Sequence, residues 1–174
     1  MLAFHSAVEK DNPARMRVLE VYADAVAYRA HLQSAHFQKF VRDVQPILRS
    51  RAVFETVPVL LGAKPQLPAA SRATHVRVAE LEIDPAQLDA YKAAVTEEIQ
   101  DSIRLEPGVL AIYCVALKDQ PSQLRFFEVY ADEGAYRRHI ESPHFKKYVD
   151  TTKSMIRARK LFEMASPTLA AKNR

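Results

Sequence analysis

Glu128 is a residue whose type and position could support proton-transfer chemistry. It lies in the segment 124–130 (LRFFEVY), whose alternation places Phe126, Glu128 and Tyr130 on one face of a predicted strand. Burying an unpaired carboxylate between two aromatic rings costs several kcal/mol, so its pKa would rise and it could act as a general acid or base. An ion pair or hydrogen bond that only braces the fold is the alternative interpretation.

His139 and His144 follow on the next predicted helical segments, five residues apart. An imidazole exchanges protons near neutral pH, which suits the removal of a proton from a bound hydroxyl group. Alternatively, both histidines cap helix ends or bond to the backbone at the bend between the helices. Because Glu128 lies on a separate element, the three residues match no strong metal-binding spacing, and no metal is expected.

Four further side chains could line a cavity beside these three residues. Tyr130 lies on the same strand face as the carboxylate, and Phe145 directly follows the second histidine. Tyr113 and His75 lie on neighbouring predicted strands. Aromatic and polar side chains of this kind are typical of substrate-binding pockets, with ordinary packing as the alternative for each.

The sequence repeats itself at an offset of 108 residues. Residues 2–55 align with residues 110–163 without a gap, and 24 of the 54 aligned pairs are identical. Such a match indicates the duplication of one structural unit. The catalytic candidates recur as Glu20, His31 and His36, which favours a structural contribution from the duplicated histidines. At the position of Tyr113 the first copy has a histidine, so the two pockets are expected to differ.

The second copy, which we call repeat two (residues 73–165), predicts the element order β-α-β-β-α-β. Its helix begins at Asp84-Pro85 and ends before Pro107-Gly108, which are typical start and stop signals. The remaining expected elements are strands at 74–83, 109–117, 124–130 and 159–164, and a helical pair that begins at Asp132 and Ser142. This order is that of ferredoxin-like folds, so the expected class is α+β.

The first copy, repeat one (residues 1–57), lacks the leading strand and helix, because Leu2 aligns with Leu110. Either the natural start lies upstream or a partner covers the gap, since open sheet edges recruit other strands. Residues 58–72 (PVLLGAKPQLPAASR), rich in proline and alanine, are expected to form a linker, and residues 166–174 a tail.

The composition excludes several classes of protein. Acidic and basic residues alternate along the chain despite the net charge of +4, so no nucleic-acid partner is expected. No apolar stretch has the length of a membrane span and no signal pattern opens the sequence, so we expect no membrane partner and a cytoplasmic location. The single cysteine, Cys114, excludes an internal disulfide and a cysteine-based zinc site. Three glycines in all leave no phosphate-binding loop.

Two strings present in both repeats, Glu-Val-Tyr-Ala-Asp-x-x-Ala-Tyr-Arg-x-His and Ser-x-His-Phe-x-Lys, resemble the antibiotic biosynthesis monooxygenase (ABM) family, as does SIRLEPGVL at 102–110. They are most similar to the branch provisionally described as quinol monooxygenases. The resemblance covers residues 73–165 and the matching part of 1–57. It implies a dimeric α+β barrel in which two ferredoxin-like units pair their sheets, and in a tandem protein the two repeats could pair within one chain.

This resemblance also implies a reaction. The expected function is a monooxygenase that acts on a small aromatic quinol or phenol with molecular oxygen, without metal, flavin or haem as a cofactor. Glu128, His139 and His144 would position or deprotonate the substrate. A non-oxidative isomerase or a non-catalytic small-molecule-binding protein is the alternative, since one fold carries many functions. The haem-degrading members of this family resemble one another in using a tryptophan, an asparagine and a histidine. Haem degradation is not expected here, because the chain has no tryptophan and its two asparagines lie at 12 and 173.

A homodimer is the expected assembly. The incomplete repeat one would expose part of its sheet and of its apolar face, and closed two-fold assemblies are the commonest solution to such exposure.

Overall fold

The order of helices and strands confirms a duplicated α+β fold. A computed structural model describes residues 1–67 and 69–172. Repeat one contributes β1 (Ala3–Glu9), β2 (Asn12–Val21), α1 (Ala25–Gln33), α2 (Ala35–Val44) and β3 (Thr56–Ala63). Repeat two begins with β4 (His75–Ile83), α3 (Leu88–Leu105), β5 (Val109–Leu117) and β6 (Gln123–Tyr130), and it ends with α4 (Glu133–Glu141), α5 (Pro143–Thr152) and β7 (Ile156–Ala171). Two short 3-10 turns, Gln45–Ile47 and Pro85–Gln87, follow α2 and precede α3.

All seven strands form one antiparallel sheet in the order β2-β1-β7-β4-β6-β5-β3. The first half of β7 pairs with β4 of its own repeat, and its second half pairs with β1 of the other repeat, from Met164 opposite Glu9 to Ala171 opposite Ala3. In the same way β3 pairs with β5, from Thr56 opposite Leu117 to Ala63 opposite Ala111. The two ferredoxin-like units therefore pair their sheets within one chain by exchanging their last strand segments.

Two segments differ from the sequence-based expectation. Residues 58–63, expected as the start of the linker, belong to β3, and residues 166–171, expected as tail, belong to β7. Both segments pair with a strand of the other repeat, and local residue pattern does not reveal so distant a partner. Pro68 of the expected linker, and Asn173 and Arg174 of the expected tail, lie outside the described residues.

The paired helices begin at the same capping residues in both repeats. Asp132 accepts a hydrogen bond from the Ala135 amide at 2.7 Å, and Ser142 accepts one from the Phe145 amide at 3.3 Å. Asp24 and Ser34 cap α1 and α2 in the same manner. Each such cap stabilises a helix by about 1 kcal/mol, which explains why these short helices begin where the sequence predicts.

The sheet of repeat two is covered on both faces. Buried residues of β4, β5 and β6 pack against α3 and α4 on one face and form an apolar cluster on the other. The first group includes Ile83, Tyr91, Val95, Ile99, Cys114, Leu124, Phe126 and Tyr130, and the second includes Val76, Val78, Tyr113, Phe127, Val129 and Met164. The predicted alternation in β6 is therefore confirmed.

Helix α5 buries its apolar face unevenly. Helical spacing predicts that Phe145, Tyr148, Val149 and Thr152 share one face. Thr152 is fully buried, and Tyr148 hydrogen-bonds through its hydroxyl to that of Tyr91 on α3 at 2.6 Å. Phe145 is only partly buried, and Val149, which was expected in the core, is 37% exposed and lies at the outer edge of this face.

Helix α3 also crosses the exchanged strand of repeat one. A Cβ placed on Gly62 of β3 would lie 2.5 Å from Cγ2 of Ile99 and 3.2 Å from Cγ1 of Ile103. A glycine is therefore needed at this crossing, because any side chain would push the helix away from the strand.

Repeat one has no counterpart of β4 and α3 in the described chain. Its helices α1 and α2 contain no buried residue, and its exposed large hydrophobic residues include Val26, Phe40, Ile47, Val53 and Phe54. Among the described residues, no helix combines the length and apolar character that a membrane span requires.

Candidate functional site

The residues that could do chemistry gather between the sheet and the helices of repeat two. Five elements or turns contribute one or two side chains each: Glu98 from α3, Glu106 from the turn after α3, Glu128 and Tyr130 from β6, His139 from α4 and His144 from the first turn of α5. The structure therefore brings the predicted residues Glu128, Tyr130, His139 and His144 together.

Glu106 joins the two histidines. Its Oε1 lies 2.9 Å from Nδ1 of His139 and 2.6 Å from Nε2 of His144. An ionised carboxylate only accepts hydrogen bonds, so each of these two nitrogens carries a hydrogen when Glu106 is charged. With its Nδ1 in this bond, His139 directs Nε2 towards Glu98, whose Oε1 lies 3.6 Å away. The carboxylate thus fixes the orientation of both imidazole rings.

A glycine allows this arrangement. A Cβ placed on Gly108 would lie 2.5 Å from the Cβ of Ala135, so the turn that follows α3 can pack on α4 only because residue 108 has no side chain. This close approach places Glu106 beside His139, which follows Ala135 by one turn of α4.

Two carboxylates of the cluster are unfavourably placed for a charge. Glu98 is 6% exposed and accepts a hydrogen bond from the Ser102 hydroxyl at 2.6 Å. Burial raises the pKa of Glu98, and the nearby His139 opposes this effect. Burial likewise raises the pKa of Glu128, against the opposing effects of His139, of the hydrogen bond donated by the Tyr130 hydroxyl at 2.9 Å, and of Arg77. Both groups therefore bind a proton more readily than an exposed glutamate does.

Aromatic rings enclose the histidines. The ring of His139, itself 2% exposed, lies 4.8 Å from that of Phe145 and 5.4 Å from that of Tyr130. The ring centroids of His144 and His139 lie 6.3 Å apart. These contacts limit the access of water to His139, and charges act over longer distances in such surroundings.

Three residues of the cluster could hold a cation. Glu98, His139 and His144 offer ligand atoms that lie within 4.8 Å of one another. Two histidines and one carboxylate are a common ligand set for divalent metals, and the sequence spacing did not predict this grouping. However, Glu106 already accepts a hydrogen bond from one nitrogen of each imidazole. While these bonds are kept, only the other nitrogen of each ring could bind a metal ion.

A groove of about 340 Å³ opens over Glu106. Its lining residues are Leu105, Glu106, Pro107, Gly108, Ala135, Arg138 and Ser142. A volume of this size is at the lower end of the range for small-molecule sites, roughly 300–1,000 Å³. A second groove, of about 570 Å³, lies between β3, β5 and α3, and none of its lining residues belongs to the cluster.

Three other predicted binding residues have different positions. Phe145 contacts His139 and belongs to the cluster. His75 lies at the edge of the cluster, with its ring stacked on that of Tyr136 at 5.0 Å, and burial lowers its pKa. Tyr113 lies on the opposite face of the sheet, where its hydroxyl is 3.2 Å from Nε2 of His5. The structure therefore does not bring Tyr113 together with Glu128.

Repeat one contains only half of this arrangement. Tyr22 donates a hydrogen bond to Glu20 at 3.0 Å, and the rings of His31 and His36 lie 5.2 Å apart. Within the part of the chain that the structure describes, no carboxylate forms a hydrogen bond or ion pair with His31 or His36. His36 instead contacts the hydroxyl of its own helix cap, Ser34, at 3.3 Å.

Sequence reasoning missed Glu98 and Glu106. Glu98 continues the buried stripe Tyr91, Val95, Glu98 and Ser102 along α3, and an acidic residue in such a stripe is a usable signal. Glu106 precedes the Pro-Gly that ends the helix and lies within the SIRLEPGVL string, but its two imidazole partners are more than 30 residues away in the sequence.

The sequence profile of the antibiotic biosynthesis monooxygenase family matches residues 1–43 and 74–151, so the chain belongs to this family. Its fold is similar to that of a protein from Lactobacillus acidophilus with a provisional monooxygenase assignment, at a TM-score of 0.89 and 26% identity, over 98% of this chain and 79% of that one. A Fusobacterium nucleatum protein with the same kind of assignment matches at a TM-score of 0.86 and 20% identity, over 99% of this chain and 78% of that one.

A third similar structure is a provisionally assigned antibiotic biosynthesis monooxygenase from Bacteroides thetaiotaomicron. It is 45% identical over 54% of this chain and 90% of its own, with a TM-score of 0.53. A search of curated proteins gave no match. The family membership and these neighbours define a monooxygenase-like protein built from two repeats.

Proposed function

We propose that this protein is a monooxygenase that oxidises a small aromatic quinol or phenol with molecular oxygen, and that it needs no metal, flavin or haem. The observation that carries the proposal is the contact of one groove-lining carboxylate, Glu106, with both His139 and His144. This contact links solvent to a buried set of proton acceptors. The family membership supports the oxidative part of the proposal.

The first step is the removal of a proton from a substrate hydroxyl. Glu106 lines the groove and can accept a hydrogen bond from a substrate hydroxyl there. His139, bonded to Glu106 through Nδ1 and facing Glu98 through Nε2, connects this carboxylate to Glu98 and Glu128, whose raised pKa suits them to receive or share the proton. His144, which is bonded to the same carboxylate and 12% exposed, is placed to relay the proton between the groove and this set.

The second step is the reaction of the deprotonated ring with oxygen. For a quinol, one oxygen atom forms a bond to a ring carbon and the other leaves as water, while the ring becomes a hydroxyquinone. The substrate supplies all the electrons that reduce oxygen, so the protein needs only to bind, orient and deprotonate it. Phe145 and Tyr130, which pack on His139, would exclude water from the buried proton acceptors.

Oxygen consumption with 1,4-dihydroxynaphthalene tests this proposal. We expect Glu128→Gln and His144→Gln to lower turnover by roughly 10²–10⁴-fold, because each removes a group that takes up or relays the proton. The matched controls are Glu20→Gln and His36→Gln, the same changes at the equivalent positions of repeat one, and these should leave turnover unchanged. Thermal unfolding is measured on all four variants.

Two results would contradict the proposal. If the folded Glu128 and His144 variants keep full activity, these side chains only brace the fold. If turnover is lost with a chelator and returns with a divalent ion, the grouping of Glu98, His139 and His144 is a metal site and the cofactor-free mechanism is wrong.

A non-oxidative isomerase is the second candidate, and one observation favours it. The groove over Glu106 is open and carries the polar side chains of Arg138 and Ser142, as a polar metabolite would require. Conversion of such a metabolite without any uptake of oxygen would favour this candidate. A non-catalytic binding protein would bind the ligand and convert nothing.

The proposed assembly is a homodimer. Both outer strands of the sheet, β2 and β3, belong to repeat one, and large apolar side chains around them are exposed in the described chain. A second copy that covers this surface would bury the exposed side chains and pair the free sheet edge.

A further inference from the structure

Arg138, at the groove over Glu106, has no partner in the described part of the chain. No hydrogen bond or ion pair joins its guanidinium to any residue there, although the side chain lines the groove. Its neighbour Arg137 shows the usual alternative, since it is bonded to Glu133 by two hydrogen bonds of 2.6 and 3.2 Å. A guanidinium is a strong donor for carboxylates, so a free one at a cavity is available to a ligand.

Two glycines lie beside this side chain. A Cβ placed on Gly134 would lie 3.3 Å from Nη1 of Arg138, and one on Gly108 would lie 3.7 Å from Nη2. The guanidinium, although exposed, therefore lies back along α4 towards the turn that carries Glu106. Gly108 and Arg138 both line the groove, so this side chain is within reach of a ligand bound there.

Repeat one lacks all of these features together. Its residues at the positions of Gly134 and Arg138 are Val26 and Ala30, and it has no counterpart of Glu106 in the described chain. The arginine, the glycine beside it and the carboxylate thus occur in the same repeat, the one with the complete cluster. This coincidence indicates that the arginine serves the groove rather than the general stability of the fold.

We infer that the groove binds an aromatic hydroxy acid, with its acidic group on Arg138 and its hydroxyl directed to Glu106 and His144. The charges of the groove define this orientation. Both Glu106 and Arg138 line the groove. Glu106 repels an anion and accepts a hydrogen bond from a hydroxyl, whereas Arg138 attracts an anion. This inference rests on the proposed function and narrows its substrate class from quinols or phenols in general to those with an acidic substituent.

Binding of two matched probes tests the inference without any turnover. The probes are 1-hydroxy-2-naphthoate and 1-naphthol, which differ by one carboxylate. Their binding is measured without oxygen and is followed by their own fluorescence. We expect the acid to bind the wild-type protein at least roughly tenfold more tightly, since a charge-assisted hydrogen bond has about this effect. The preference should decrease with added salt, because the arginine is exposed.

The variant Arg138→Ala introduces the residue that repeat one has at this position. It should remove the preference for the acid and leave the binding of 1-naphthol unchanged. Arg137→Ala is the matched control, because it removes the adjacent arginine on the same helix, and it should keep the preference. Equal binding of the two probes, failure of both to bind, or a preference that survives in Arg138→Ala would overturn the inference.

Oxygen uptake separates this inference from the proposed function. The substrates are 1,4-dihydroxynaphthalene and its 2-carboxylate. If the acid binds more tightly but neither quinol causes uptake of oxygen, the proposed binding site is supported and the proposed monooxygenase activity is refuted. Uptake from the neutral quinol, without any preference for the acid, would retain the monooxygenase and refute the role of Arg138.

Discussion

Glu98 shows at the scale of a single residue how a functional cluster can reduce stability. Its carboxylate is almost fully buried on α3 and faces one imidazole, and burial raises its pKa above the ordinary value of 4.5. At a pH above 4.5 the Glu98 carboxyl ionises freely in the unfolded chain. In the folded chain the same carboxyl must either hold a buried charge or keep its proton. The folded state therefore loses stability as the pH rises through the pKa of the folded protein, and below about pH 4.5 this loss is absent.

Glu98→Gln should accordingly stabilise the protein at neutral pH. A glutamine can keep the bond from the Ser102 hydroxyl without a charge, so we expect a higher unfolding temperature at pH 7 and little difference at pH 4. The control is Glu97→Gln on the same helix, which removes a mostly exposed carboxylate paired with Lys147 and should change stability by less than about 1 kcal/mol. Thermal unfolding of the three proteins at both pH values decides the question, and equal unfolding temperatures at pH 7 would count against a buried charge.

The sequence predicted the side chains of the site better than their partners. A repeated motif on consecutive elements made five residues of the cluster predictable. They are Glu128, Tyr130, His139, His144 and Phe145. The partnerships of Glu106 with two imidazoles depend on how far α3 extends and how closely its last turn packs on α4. Such distances follow from tertiary packing, and local patterns do not contain them.

Helices and strands were predictable to different degrees. The helix starts at Asp132 and Ser142 are local events, and they lie where the capping signals placed them. The exchanged strands β3 and β7 are stabilised by pairing with the other repeat, so residues 58–63 and 166–171 looked like linker and tail. Strand pairing across a long sequence separation is the part of a fold that residue patterns specify least.

The crossing of α3 over β3 yields a prediction at the scale of these elements. Gly62→Ala should destabilise the protein by about 1–3 kcal/mol, because its new Cβ would overlap Ile99 at a packed contact. Gly134→Ala is the control. It lies in the first turn of α4, where repeat one has Val26. Its Cβ would meet the ends of two side chains, the Asp132 carboxylate at 3.1 Å and the Arg138 guanidinium at 3.3 Å, so it should change stability by less than about 1 kcal/mol. Chemical denaturation measures both changes, and a neutral Gly62→Ala would mean that α3 does not press on β3.

At the scale of the whole molecule, the exposed surface of repeat one predicts self-association. Light scattering at micromolar concentration should give about twice the chain mass of 19.7 kDa, because large apolar side chains such as Phe40 and Phe54 are exposed in the repeat that provides both outer strands of the sheet. The double variant Phe40→Ser, Phe54→Ser should shift the protein towards the monomer. Leu161→Ser, which changes a similarly exposed residue of repeat two, should leave the mass unchanged. A monomeric wild-type protein would refute the dimer.

The contact between His5 and Tyr113 has a consequence for how this chain could diverge. The two residues are 108 positions apart, which is the offset of the repeats, so they occupy equivalent positions that meet across an approximate two-fold axis. In a pair of identical subunits, whatever stands at such a position faces its own copy, and a single substitution changes both sides at once. Covalent fusion removes this constraint, because each half mutates separately. An imidazole can then face a phenol at the axis, and one half can keep the complete acid–imidazole cluster while the other serves as its scaffold.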